Sequence, residues 1–310
     1  MIRKNIKHVC LTITIDTECD HDSEWARSKP LTFKSITQGI PDILQPAFES
    51  VGAIPTYLLT VEVMEDLDSV TSLKSLKGNY EYGTHLHAAF IEPEKKYFDY
   101  AGIDSPDFQC QYSKEVEFKK LENLTNLFVN KFGYKPTSFR AGRYGAGINT
   151  FESLEKLGYT VDTSVTPHML WTEPKASVDY RRAPEQPYFP QKGSLIKVDK
   201  YLTNGLLEVP VTVKKRWLRS PSWFRPWFSS VEKMKQIVHY HLKHYSHNEV
   251  IVLNMMFHSM EIIPKASPYP QSDSDVNRFI DNMTEVLDWC KNQGIEFCKT
   301  KDLYLKYTQR

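Results

Sequence analysis

The sequence predicts an α/β protein built from parallel β-α units. Two observations carry that class. Short apolar, β-branched runs alternate with longer stretches of helical periodicity. Ionisable residues collect where the apolar runs stop. Composition agrees: 310 residues with 41% hydrophobic and 25% charged side chains describe a globular chain. By length alone, two domains of about 150 residues or one α/β barrel of about 250 with long loops are both allowed. Seven or eight β-α units fit a barrel as easily as an open sheet.

In chain order, His8–Ile15 (HVCLTITI) reads as a buried strand and Ile40–Val51 as a helix opened by Pro41. Ile54–Leu59 and Tyr80–His87 read as strands two and three. Lys114–Phe132 reads as a helix with Leu121, Leu124, Leu127 and Phe128 on one face, capped by Ser113 and stopped by Gly133. Strand-like Thr137–Arg140, a helix over Thr150–Leu157 ending at Gly158, and strand-like Thr160–Ser164 follow. Leu206–Val213 and Val250–His258 read as strands around the helix Val231–Tyr245. Asp273–Gln293 is a helix with Ser272 as N-cap, and Ile295–Cys298 is a last strand before a short terminal helix. Two long connections, Ala88–Tyr112 and Trp171–Asn204, follow strands, where parallel α/β folds build their sites.

Several function classes recede at once. Lys+Arg 39 against Asp+Glu 38 leaves a formal charge of +1, too little field to gather nucleic acid, so none is expected as a partner. The first strand is not followed by G-x-G-x-x-G, and there is no G-x-x-x-x-G-K-[ST] loop. The glycine-rich Arg140–Gly147 has the wrong spacing for either. Five scattered cysteines without a C-x-x-C pair point to a reducing, cytoplasmic setting. The N-terminal apolar run is broken by Thr12 and Thr14 and is neither a signal h-region nor a span.

The chemistry lies at strand ends. Asp16 and Glu18 close the first strand two residues apart, so in extended chain both side chains share a face. His85 and His87 repeat that spacing at the end of the third. Arg140 ends the next strand, Asp162 lies in the one after, and His258 closes VIVLNMMFH. A strand-end Asp or Arg alone is more often a cap or an ion-pair partner than a catalyst, and an H-x-H alone is more often a packed pair than a metal pair. Their coincidence on successive parallel strands is what argues for a site. Two histidines and a carboxylate make a three-ligand site with open positions, the requirement for activating water on a metal.

These residues resemble, in order and over most of the chain, the polysaccharide deacetylases (NodB homology, carbohydrate esterase family 4 and relatives). Thr14-Ile15-Asp16-Thr17-Glu18 looks like the first motif, with a basic and a metal-binding acid. Glu81–His87 (EYGTHLH) is similar to the second, which carries histidine ligands, and Ser138–Gly145 (SFRAGRYG) to the arginine motif. Val161-Asp162-Thr163-Ser164 resembles the fourth, aspartate-bearing motif, and Phe257–Glu261 (FHSME) the last, with the catalytic-acid histidine. The resemblance implies one domain over 1–310, a distorted (β/α)7 barrel with long loops near 88–112, 171–204 and 214–230. The chain departs from the common pattern in three places. Ala89 stands where many members have the second histidine, so His87 serves instead; Asp-x-Glu replaces Asp-Asp; Ala141 replaces a proline. It reads as a divergent branch.

The resemblance implies a metal-dependent carbohydrate N-deacetylase acting on an N-acylated saccharide. A divalent metal, zinc by default, sits on Glu18, His85 and His87, with the choice between Glu18 and Asp16 as carboxylate ligand left open. Asp16 is the base, set by Arg140; His258 is the general acid, held as imidazolium by Asp162. Rival expectations are a non-haem iron oxygenase, since two histidines and a carboxylate also describe its triad, and a non-catalytic sugar-binding barrel.

Aromatic residues make up 13% of the chain and concentrate in Lys214–Phe228 (KKRWLRSPSWFRPWF), five basic and five aromatic residues without an acid. Rings packed on the barrel, sugar stacking, and peripheral membrane contact through headgroup-level rings and cations all fit. The last would suit a deacetylase or deformylase of a lipid-linked sugar at the cytoplasmic face. A second group, Tyr97, Tyr100, Phe108, Tyr112, Tyr180, Tyr188, Phe189 and Tyr201, either walls a saccharide groove or anchors the long loops.

Overall fold

The computed structural model describes residues 8–96, 108–173, 176–217 and 219–308. Tyr97 and Tyr100 lie outside them. From the N-terminus the elements are β1 (His8–Thr17), helix α1 (Ser35–Leu44, continuing as Gln45–Val51), β2 (Pro55–Leu59), α2 (Val61–Glu65), α3 (Leu67–Ser75) and β3 (Glu81–Leu86). Next come α4 (Lys114–Phe132), β4 (Ser138–Ala141), α5 (Ile148–Leu157), β5 (Val161–Asp162), β6 (Leu170–Glu173), β7 (Ala176–Asp179) and β8 (Leu207–Glu208). The chain closes with β9 (Val213–Lys214), β10 (Ser222–Trp223), α6 (Val231–His244), β11 (Val250–His258), α7 (Asp273–Asn292), β12 (Glu296–Phe297) and α8 (Asp302–Thr308). Two compact units emerge: residues 1–57, 65–81 and 214–299 form one, residues 58–64, 82–213 and 300–310 the other, with the boundary inside β2.

In the first unit β1 runs parallel to β11 from His8↔Val250 to Asp16↔His258, and β12 is parallel to β1 at Cys10↔Glu296. Ile13, Ile15, Leu253, Met255 and Phe257 are fully buried, and each such side chain contributes roughly 1.5–3 kcal/mol by leaving water. Helix α7 presents Val276, Phe279, Met283, Val286 and Leu287 inward. Its Ser272 cap accepts from Asp275 N–H at 3.3 Å while Asp275 accepts from Ser272 N–H at 3.1 Å, the reciprocal capping that the sequence signals.

Helix α1 corrects an expectation. It begins at Ser35, and Pro41 lies inside it. Proline lacks an N–H and its ring crowds the carbonyl of residue i−4; the wider i→i+5 turn, seen where Gln45 N–H reaches Ile40 O, accommodates it. The start has no local cap signal because Asp20, fifteen residues earlier, accepts from Lys34 and Ser35 N–H at 2.7 and 3.1 Å. Helix α3 likewise has no strong signal in the sequence. Nine residues carry too little periodicity, although Asp66 caps them by accepting from Ser69 N–H at 2.8 Å.

In the second unit β3, β4, β5 and β8 run parallel in that order, with His85↔Arg140, Phe139↔Asp162 and Asp162↔Glu208 in register. Helix α4 buries Leu121, Leu124 and Phe128, starts on Ser113 and ends at Gly133, whose φ of 81° only glycine adopts without strain. The long connection after β5 is partly regular: β6 and β7 pair antiparallel with Trp171 opposite Val178. Of the rings in the long loops, Phe108, Tyr112, Tyr180, Tyr188 and Phe189 are buried and act as anchors, whereas Tyr201 is 93% exposed. Tyr180 OH, for example, donates to Tyr144 O at 2.9 Å.

Candidate active site

The first unit gathers three of the expected residues. The parallel register sets Asp16 opposite His258, so both strands deliver their last polar side chain at one level. Asp16 and Glu18 are nearly buried, and His258 is partly exposed. Asp16, Glu18 and His258 each offer an atom within 4.8 Å of the others. His258 Nε2 lies 3.8 Å from Asp16 Oδ2 and 3.9 Å from Glu18 Oε1. Its other nitrogen, Nδ1, lies 2.7 Å from Glu261 Oε1. A carboxylate paired with Arg225 can only accept, so Nδ1 carries the proton and donates it to Glu261. That fixes the tautomer and turns Nε2 toward the two acids.

Around this trio the chain supplies a frame. Glu261 also accepts from His258 N–H at 3.1 Å. Trp25 lays its indole 5.2 Å from the His258 ring, 5.4 Å from Tyr269 and 5.8 Å from His21. Trp25 has φ +62°, a strained conformation for an aromatic residue. Asp22 holds that turn by accepting from Glu24 and Ala26 N–H at 2.8 and 3.0 Å. His21 Nδ1 donates to Cys19 O at 3.0 Å, which leaves Nε2 facing Glu18 Oε2 at 3.9 Å.

The second unit holds the rest. His85 and His87 are buried, with ring centroids 4.9 Å apart at 83°. His85 Nδ1 lies 3.0 Å from Arg140 O. A carbonyl only accepts, so Nδ1 is protonated and the lone pair is on Nε2, the tautomer in which metal-binding histidines are held from behind. Gly142 makes room for His87: a Cβ there would stand 2.6 Å from Leu86 O and 3.0 Å from His87 Nδ1. Arg140 is fully buried and donates from Nε to Thr163 O at 2.9 Å and from Nη2 to Thr163 Oγ1 at 3.1 Å.

Asp162 is held within the second unit by its own neighbours. It accepts from Ser164 Oγ at 2.7 Å and from Ser164 N–H at 3.1 Å, and it faces Glu208 across β5 and β8. Burial pushes the Asp162 carboxyl up, against the opposing pull of Glu208, Ser164 and Arg140. Burial and then the charge of Asp162 push Glu208 well above the usual range. Two buried carboxyls in register disfavour ionising together. The carboxylate on His258 Nδ1 is Glu261, three residues along. Its sequence signal is the i, i+3 spacing from His258, which by itself assigns no role.

Within Lys214–Phe228 the rings divide. Trp223 and Phe224 are buried, and Trp227 stacks on Tyr269 and Phe279 at 5.7 and 5.3 Å. Trp217 is 86% and Phe228 44% exposed, and Lys215 and Arg219 lie in solvent.

No family model and no curated protein matches the sequence; solved structures match the fold. A protein from Pseudomonas aeruginosa PAO1 described as a polysaccharide deacetylase matches with TM-score 0.57 at 10% identity, covering 97% of this chain and 91% of its own. One from Mycobacterium smegmatis, described likewise, gives 0.52 at 12% identity over 98% and 91%. An allantoinase gives 0.55 at 11% identity over 96% and 89%. Identities this low carry the fold and not the activity. The chain therefore has the α/β fold of the polysaccharide deacetylases, the distorted (β/α)7 barrel type expected from its motifs.

Proposed function

We propose that this chain is a single-domain, metal-dependent hydrolase that removes an N-acyl group, acetyl by first expectation, from a sugar or glycan precursor. The observation that carries the reading is the pairing of Asp16 and Glu18 with an oriented His258 at the ends of β1 and β11. The donor set fits a divalent metal, zinc by default: two buried imidazoles, one of them fixed as an Nε2 ligand by the Arg140 carbonyl, and a buried carboxylate. Glu18, His85 and His87 would hold it. Such a metal would polarise the acyl carbonyl and lower the pKa of bound water towards neutrality.

This chain's residues supply the proton transfers. Asp16 accepts the proton of the attacking water, and the buried cation of Arg140 is assigned to keep Asp16 ionised. His258 donates from Nε2 to the leaving amine, and Glu261 on Nδ1 stabilises the imidazolium that precedes that donation. Asp162 holds the β5 turn through Ser164, and its expected part in holding His258 as imidazolium stays a proposal. The products are a carboxylate and a free amino sugar. Inductively coupled plasma analysis of purified protein, repeated on His85→Ala and His87→Ala, tests the ligand set. About one zinc per chain, lost in both variants, is expected; full metal in both sinks the assignment.

A second reading concerns the substrate's carrier. Trp217 and Phe228 exposed beside Lys215 and Arg219 suit peripheral contact with an anionic bilayer, and with it deacylation or deformylation of a lipid-linked sugar at the cytoplasmic face. Among the described residues no helix is long and apolar enough to cross a membrane. Acetate and formate release across nucleotide-linked and lipid-linked N-acyl sugars separates the substrates. Release from none of them would favour an iron oxygenase or a sugar-binding barrel.

A further inference from the structure

The basic-aromatic segment delivers one residue to the acid side of the site. Arg225 is 4% exposed, although Lys215 and Arg219 of the same segment lie in solvent. Its Nη2 donates to Glu261 Oε1 and stands 3.2 Å from His258 Nδ1. Both nitrogens bear protons, so that approach is no hydrogen bond; it arises because both donors converge on one oxygen. Arg225 Nη1 reaches Met256 Sδ at 3.5 Å. The guanidinium lies over the Phe228 ring at 4.3 Å and the Tyr269 ring at 5.4 Å, and Trp227 stacks on Tyr269. A buried cation is unfavourable unless paired, and this one is paired, caged and placed with a planar fit that only a guanidinium offers.

Glu261 is fully buried, and its described hydrogen bonds all fall on Oε1; Oε2 has no hydrogen-bond partner among the described residues. The carboxylate that orients the acid thus depends on Arg225 for its own orientation. We propose that Arg225 is a positioning residue for His258: it fixes Glu261 so that Oε1 stays on Nδ1 and Nε2 stays turned toward Asp16 and Glu18. This rests on His258 being the acid. When Nε2 gives its proton to the amine, the ring is left neutral with Nδ1–H still on Glu261, and Arg225 touches neither substrate nor reacting atoms.

The test uses full-length wild type, Arg225→Ala and Arg225→Lys. In Arg225→Ala, kcat should fall about ten- to a hundredfold with KM changed less than about threefold. Millimolar guanidinium should restore part of that loss. Arg225→Lys should recover little, because an ammonium lacks the planar fork. A readout independent of turnover is the His258 Nδ1–H proton by NMR of [15N]histidine-labelled protein, assigned by its absence in His258→Gln. It should be downfield in wild type and lost in Arg225→Ala. If wild type releases no acyl group, the functional reading fails and the NMR signal alone decides the role of Arg225. A folded Arg225→Ala with wild-type kcat, or with the Nδ1–H signal unchanged, overturns the proposal. Should alanine not fold, Arg225→Gln takes its place with the same readouts.

Discussion

Replacing Glu117 by glutamine should make stability less sensitive to rising pH between about 4.5 and 7. Glu117 is fully buried on α4. Gln109 Nε2 (3.1 Å) and Thr150 Oγ1 both donate to its Oε1, while Oε2 has no hydrogen-bond partner among the described residues. Burial outweighs the two donors and raises the carboxyl from 4.5 to about 7. Below pH 4.5 folded and unfolded chains are both protonated. Between 4.5 and 7 the unfolded chain ionises and the folded one does not, so stability falls as pH rises, by up to about 1.4 kcal/mol per pH unit. Above 7 the loss is complete, about 3 kcal/mol. Glu117→Gln keeps the acceptor and removes the titration. Thermal unfolding of both proteins from pH 4 to pH 9 should show the variant's melting temperature gaining on wild type across pH 4.5–7, by about 5 °C in total for a chain of this size. A difference that does not change with pH would refute the reasoning.

Three further outcomes follow from the geometry. Gly142→Ala sets a methyl against Leu86 O and His87 Nδ1, so metal affinity measured by competition with a chromogenic chelator should drop about 10–100-fold; unchanged affinity removes His87 from the ligand set. Lys120, buried with Nζ 2.8 Å from Ala88 O and Ile91 O, ties down the segment after His87. Lys120→Met should cost about 1–3 kcal/mol for the stranded carbonyls and speed limited proteolysis near residues 88–96; equal cleavage rates would contradict this. Wild type should sediment with vesicles rich in anionic lipid at low salt, and the double variant Trp217→Ser, Phe228→Ser should not. Indifference of the wild type to lipid removes the membrane reading.

Elements with strong local signals were legible in the sequence. Helix α4 and strand β11 match their expected limits because a cap, a glycine stop and an apolar run interrupted before His258 only by Asn254 agree there. The start of α1 was not legible, since its cap comes from Asp20 far up the chain and its proline is absorbed by a π turn. The strand-end acids and histidines were legible because alternation fixes which side chains share a face. What holds them was not. Glu261 is a local i, i+3 partner of His258, but Arg225 reaches both through tertiary packing, and Asp162 meets Glu208 through the pairing of β5 with β8. No spacing rule on a single chain reveals a partner that arrives from another element.

The central claim is that Asp16 and His258 run proton transfer in a metal-dependent deacylation. Acyl release from an N-acylated sugar by the zinc-loaded protein tests it most directly, with Asp16→Asn, His258→Ala and chelated wild type measured beside it. Turnover is expected in the loaded wild type, restored to the chelated sample by zinc. Both variants should lose about 10²–10⁴-fold in kcat while keeping their fold and their metal. Wild-type turnover in either folded variant, or turnover that survives complete removal of metal, would contradict it.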